Sequence, residues 1–298
     1  MVIEGDSLKV KELTPDQELV VERNLVWVFG SSRGGTTWLG SQLLSYQTKI
    51  MFEPRIARFI GDRRNWIVEK GKKIEKQSRN PDYIFSEKTK NNWRYFLRKL
   101  IINRIYFQFP DFNSRIVIKE PLEKGGSDVI SECLPNSRII LLIRDGRDII
   151  DSKIDAISEK KSWGTKALGI NPLNQNQKLD FIRTNALMWN EFVEDLMRTY
   201  ENHSKNLRIL VRYENLRKNT LTELQKIYDF LEIDITKEEL ENLVSKFSFE
   251  NIPTKSKGKG KFTRFATPGK WKENFNEEEK KLMKSIMKKS LTQLDYEL

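Results

Sequence analysis

The chain has 298 residues, 38% hydrophobic and 32% charged, and its 53 Lys and Arg outweigh 42 Asp and Glu for a net charge of +11. That is enough apolar material for a core and too little compositional bias for a disordered chain. The positive balance points to anionic partners and says nothing about fold. One cysteine, Cys133, excludes a disulfide framework and a multi-cysteine zinc site, and one histidine, His203, excludes a histidine-rich metal centre.

The longest apolar runs, residues 25–29 and 139–143, fall far short of the roughly 20 residues that a membrane span needs. The N-terminus (MVIEGDSLKVKELTPDQ) has no apolar signal core. These features predict a soluble, cytoplasmic protein without a lipid anchor. Residues 1–23 are polar and read as an arm or a short leading helix.

Residues 25–29 (LVWVF) form a continuous apolar run ending at Gly30, the pattern of a strand buried on both faces of a parallel sheet. From Thr36 onward Leu39, Leu43 and Tyr46 recur at helical spacing, so a strand–turn–helix unit opens the fold. Residues 115–119 (RIVIK), 138–143 (RIILLI) and 207–211 (LRILV) are further strands. Between the last two lies a long helix, with Ile182, Ala186, Trp189, Val193, Leu196 and Tyr200 on one face. Thr220 with Glu223, and Thr236 with Glu239, fit capping boxes. Strands alternating with helices predict a single α/β domain over residues 24–298, its central sheet mainly parallel and flanked by helices. Right-handed crossovers then gather the loops after the strands on one edge, where ligands bind. Two stretches break the pattern. Residues 158–177 are polar and read as a surface loop or a lid over the ligand site. Residues 255–264 (KSKGKGKFTR) carry five cations and read as a solvated, mobile segment.

The strongest local signal is Gly30 to Trp38, GSSRGGTTW, between strand and helix. Glycines let the backbone approach an anion, and consecutive amides then point at a phosphate. Thr36 and Thr37 add hydroxyls, and Arg33 adds a forked cation. A Walker loop would place lysine where Thr36 stands, so the loop suits a single phosphate with a transferring group better than a triphosphate with magnesium.

At this loop the sequence resembles the sulfotransferases that use 3′-phosphoadenosine 5′-phosphosulfate (PAPS), whose P-loop-like fold would be expected here. Ser32 to Trp38 (SRGGTTW) resembles the family's 5′-phosphosulfate loop. The resemblance implies that the amides of Gly34, Gly35, Thr36 and Thr37 hold the 5′-phosphate, that Arg33 is the cation at the sulfuryl bridge and that Trp38 stacks on adenine. Arg144, closing the strand 138–143, and Ser152, eight residues on, match the family's 3′-phosphate pair. Tyr213 resembles a tyrosine on the adenine side. Residues 264–275 (RFATPGKWKENF) resemble the segment, here bounded as 255–275, that closes over the cofactor, with Arg264, Gly269 and Trp271 in place. Phe265, Ala266 and Lys270 depart from that pattern.

Cytosolic members of the family use a histidine base, but the matching place reads Ile118-Lys119-Glu120-Pro121. His203 reads as a surface or helix-end residue. Glu53, in a Phe-Glu-Pro step resembling carbohydrate, tyrosylprotein and bacterial sulfotransferases, is preferred as the base. Glu120 is the rival, and Lys119 is placed near the leaving oxygen. Phe52 and Pro54 are expected to shield Glu53 from water, which suits proton abstraction. The expected reaction takes PAPS as donor and leaves adenosine 3′,5′-bisphosphate (PAP), without a metal. A P-loop-type kinase is the alternative enzyme. Nucleic-acid binding, suggested by the charge, is not favoured. The acceptor is a small-molecule or glycan hydroxyl, walled by residues 55–112 with Trp66, Trp93, Tyr95 and Tyr106. No dimerisation motif is recognisable, and the sequence leaves a homo-oligomer open.

Overall fold

The computed structural model describes residues 12–45, 47–57, 67–69, 72–74, 86–122, 125–264 and 266–298. Trp66 and Phe265 lie outside them. Thr14 opens α1 (Pro15–Asn24) through a capping box with Gln17. Val21 and Glu22 on this helix are buried, and Glu18 and Glu22 pair with Lys99 and Arg98. The end of the leading segment is thus a packed helix.

The chain continues through β1 (Leu25–Ser31), α2 (Thr36–Gln42), β2 (Thr48–Phe52) and the antiparallel pair β3 (Ile67–Glu69) and β4 (Lys72–Ile74). It then forms α3 (Lys90–Gln108), β5 (Arg115–Leu122), α4 (Ser127–Cys133), β6 (Arg138–Ile143) and α5 (Gly146–Ala156). After α6 (Trp163–Leu168) and the long α7 (Gln175–Asn202) come β7 (Arg208–Arg212), α8 (Tyr213–Lys218), α9 (Thr220–Phe230) and α10 (Lys237–Lys246). Short α11 (Trp271–Asn274) and α12 (Glu277–Gln293) close it.

The main sheet has five strands in the order β2-β5-β1-β6-β7, and every neighbouring pair is parallel. Successive side chains of a strand point to opposite faces. In β1, Trp27 and Phe29 therefore join one core with α7 and α12, while Val26 and Val28 join the other with α2, α9 and α10. Because both faces are covered, the central strands need apolar side chains throughout, which is why β1 and β6 read as unbroken runs.

Several elements differ from the sequence expectation. β2 (TKIMF) is not among the expected strands: it is short, lies at the sheet edge, and its burial follows no two-residue alternation. The Thr220 capping box does not form. Asn219 is the N-cap of α9, with no side-chain capping bond, because the turn from α8 already orders that backbone. Thr236 and Glu239 do form theirs. The polar stretch 158–177 contains α6 rather than only loop. The basic run 255–264 is docked, since Gly260 bonds through its amide to Asp155 and through its carbonyl to the Trp163 amide.

His203 caps the end of α7, as its place suggests, but it is buried rather than on the surface. Its Nε2 donates to the Ser137 carbonyl and its Nδ1 pairs with the Ser131 hydroxyl, each at 2.8 Å. A carbonyl can only accept, so Nε2 carries a proton. Burial lowers its pKa.

Candidate active site

The loop after β1 turns under steric control. A Cβ on Gly35, at φ 97°, would lie 2.6 Å from the Tyr213 ring. Arg33 also adopts a left-handed conformation, φ 65°, which for a non-glycine residue persists only where the surroundings fix it. Two anchors do so here: the Gly34 amide donates to the Ser31 carbonyl at 2.9 Å, and the Arg33 carbonyl accepts from Arg144 Nη1 at 2.9 Å. The Gly34 amide is spent inside the loop, and Gly34 is not among the residues lining the cavity; Gly35, Thr36 and Thr37 are. Thr36 and Thr37 start α2, and first-turn amides have no carbonyl partner within a helix.

Above this loop, at the C-terminal edge of the sheet, lies a cavity of about 560 Å³. Arg33, Arg144, Ser152, Tyr213 and Arg264 all line it. The sheet register explains the meeting. Ile143 pairs with Arg212 across β6 and β7, so the next residues, Arg144 and Tyr213, emerge side by side. The Arg144 guanidinium sits 4.4 Å from the centroid of the Tyr213 ring. Arg33 Nε donates to Ser152 Oγ at 3.0 Å. Burial, and then the charge of Arg144, pull the Arg33 pKa down to about 10, against the opposing pull of Asp155.

An anionic ligand fits this cradle. Arg144 Nε is buried with no hydrogen-bond partner among the described residues. An unsatisfied buried donor costs about 1–3 kcal/mol, and a phosphate oxygen would supply its acceptor. Arg264 is different. It pairs with Asp151 and Asp155 on α5, so two carboxylates already balance the charge that the family pattern assigns to a phosphate.

The register also builds the other wall. Phe52 pairs with Lys119 across β2 and β5, so Glu53, the residue after β2, arrives beside Lys119. The Glu53 amide donates to the Lys119 carbonyl at 2.8 Å, and its carboxylate forms an ion pair with the Lys119 ammonium. Lys119 Nζ also reaches Thr37 Oγ1 at 3.3 Å. The expected shielding of Glu53 is not what the structure shows: its side chain is 48% exposed, while that of Lys119 is 2% exposed. Phe52 does not cover it, being itself 51% exposed, and Glu53 takes a left-handed backbone conformation. Glu120 is buried, its Oε2 accepts from the Ile56 amide at 3.2 Å, and it does not line the cavity.

Trp38 lines the cavity, donates to the Phe247 carbonyl at 3.0 Å and meets Tyr213 edge-on. Gly269 and Trp271 lie off the wall. Their amides donate to the Asp148 carboxylate at 2.7 and 3.2 Å, and the Trp271 ring stacks on Arg147, itself paired with Asp145. They tie the closing segment to α5. Sequence reasoning missed Trp163, Arg217, Phe247 and Phe262, which all line the cavity. The first and last stand in the two irregular stretches; Arg217 and Phe247 carried no signal.

The all-parallel sheet, the glycine-bearing loop after its central strand and the cationic cavity at that strand's end define a P-loop-like α/β protein. The sulfotransferase family model matches residues 26–237, well over half the chain, and the chain belongs to that family. No curated protein matches the sequence. Among solved structures, retinol dehydratase in complex with androsterone and the inactive cofactor PAP is 16% identical with a TM-score of 0.53, over 93% of this chain and 82% of that one. Mouse sulfotransferase SULT7A1 complexed with PAP is 12% identical with a TM-score of 0.55, over 89% and 85%. Sulfotransferase STF9 from Mycobacterium avium is 14% identical with a TM-score of 0.52, over 93% and 78%. At these identities the likeness is one of fold. Among the described residues, no helix is long and apolar enough to cross a membrane.

Proposed function

We propose that the chain transfers the sulfuryl group of PAPS to a hydroxyl of a small molecule or glycan and releases PAP. The observation that carries this reading is the shared cavity of Arg33 and Arg144, bridged by the 2.9 Å bond between them. In this reading Gly35, Thr36, Thr37 and Arg33 hold the 5′-phosphate. Arg144 Nε and Ser152 hold the 3′-phosphate, and Trp38 and Tyr213 face the adenine end. Retinol dehydratase and the mouse enzyme, which share the fold, were solved with PAP, and the former with androsterone, which supports the donor and a small-molecule acceptor.

Glu53 is the base. It lines the cavity wall, and among the described residues Glu120 does not. Lys119 holds it in place through their ion pair. The acceptor hydroxyl gives its proton to Glu53 as its oxygen approaches sulfur. Negative charge then builds on the oxygen between sulfur and the 5′-phosphate, where Arg33 meets it, while Lys119, buried off the cavity wall, acts through Glu53 and Thr37. Positioning and fixed charge supply most of the remaining rate.

Calorimetry with PAP beside 5′-AMP and ATP tests the donor, and an acceptor panel with labelled PAPS tests the reaction. PAP should bind most tightly. A preference for ATP with magnesium would replace this reading with a kinase.

A further inference from the structure

The guanidinium of Arg33 packs into the corner formed by two aromatic rings. Its central carbon lies 5.3 Å from the centroid of Trp163 and 5.0 Å from that of Phe262. The rings themselves meet edge to face, 5.2 Å apart at 71°. Arg33 Nη2 donates to the Phe262 carbonyl at 2.8 Å. The two rings come from the two stretches that the sequence pattern left unexplained, and folding brings these together. The Trp163 amide donates to the Gly260 carbonyl at 3.0 Å, and the Gly260 amide donates to Asp155 Oδ2 at 2.9 Å. Gly260 fits closely there, since an added Cβ would lie 2.9 Å from Ser162 Oγ.

We infer that Trp163 and Phe262 are positioning residues of the transfer site, a two-ring clamp that sets the direction of the Arg33 guanidinium. This rests on the proposed sulfuryl transfer and adds to it. A planar, delocalised cation packs against two ring faces at once, whereas an ammonium is a compact, strongly hydrated point charge. The clamp therefore gives a physical reason for arginine at this place in the loop. It also unites the polar stretch and the basic run, because each delivers a ring to the Arg33 guanidinium, whose Nε donates to Ser152 Oγ. The left-handed backbone of Arg33 directs its side chain out of the loop, and the rings fix where that side chain goes.

A double-mutant cycle read by PAP calorimetry tests the clamp. Phe262→Leu is the primary variant, because Phe262 is 55% exposed and its backbone carbonyl is kept. Trp163→Leu is the second. Each should weaken PAP binding by about five- to tenfold in the wild-type background and by less than about twofold in an Arg33→Ala background. Trp163→Phe should restore binding to within about threefold of wild type, since a ring remains. A loss of equal size with and without Arg33 would overturn the clamp, as would unchanged PAP binding in both leucine variants. Failure of the underlying reading looks different: the wild-type protein itself would then show no preference for PAP over 5′-AMP.

Discussion

Arg144 donates through Nη1 to the carbonyl of Arg33 at 2.9 Å, which joins the end of β6 to the loop after β1. One arginine thus shapes the first anion cradle with one arm of its guanidinium and leaves Nε, buried and without a partner among the described residues, for the second. In the proposed reading, loop geometry and selection of the 3′-phosphate are coupled through this single side chain.

Replacing Arg144 by Lys should weaken PAP binding by about ten- to a hundredfold, the worth of a hydrogen bond to a charged group, about 1.5–3 kcal/mol. Binding of 5′-AMP, which has no 3′-phosphate, should fall much less. Paired titrations at one ionic strength decide this, and parallel losses would show that Arg144 acts only on the loop.

Glu53→Gln keeps the shape of the side chain and removes its basicity. Turnover should fall by about 10²–10⁴-fold, the usual contribution of a general base, while PAP affinity stays within about threefold. Glu120→Gln should leave turnover close to wild type, because Glu120 does not line the cavity and an amide oxygen can still accept from Ile56. Turnover assays with labelled PAPS would reverse the assignment if Glu120→Gln proved the more damaging.

Gly35→Ala tests the loop. The new methyl would meet the Tyr213 ring at 2.6 Å, at a φ of 97° that a side chain resists. A strained backbone conformation costs about 1–3 kcal/mol, so a lower melting temperature should accompany loss of PAP binding. An unshifted melt with full binding would mean that the loop does not need this close approach.

Part of this was legible in the chain. β1 and β6 are buried on both faces, so they had to read as continuous apolar runs, and the loop and Arg144 follow them directly. β2 was not legible, because five residues without a two-residue alternation carry little signal. The pairing of Glu53 with Lys119 follows from the β2–β5 register, and no spacing in the sequence encodes it. Arg264 was visible as a cation, but its partners Asp151 and Asp155 meet it only through the fold. The Trp163 and Phe262 rings stand in stretches whose composition reads as loop, and only the contact through Gly260 brings them together.

Arg264 yields a stability prediction. Removing it alone leaves Asp151 and Asp155, both buried, without their counter-charge, and breaking a buried pair from one side costs about 3–5 kcal/mol. Arg264→Met should lower the melting temperature, and adding Asp151→Asn should recover much of the loss. No recovery would mean that Arg264 acts through Asp155 or through packing.

His203 gives a pH signature independent of the catalytic site. Burial lowers its folded-state pKa below the ordinary value of 6.5. Between those two values the unfolded chain binds a proton that the folded protein refuses, so stability falls as the pH drops. The contribution is complete above about pH 6.5 and is lost as the pH falls from there toward the folded value. Urea unfolding at pH 7.5 and 5.5 should therefore show a larger loss for the wild type than for His203→Gln, which cannot titrate. At pH 7.5 the variant should bind PAP as the wild type does, because His203 does not line the cavity. A variant that keeps the full acid sensitivity would shift the cause to other groups. One that folds but fails to turn over would return His203 to the reaction.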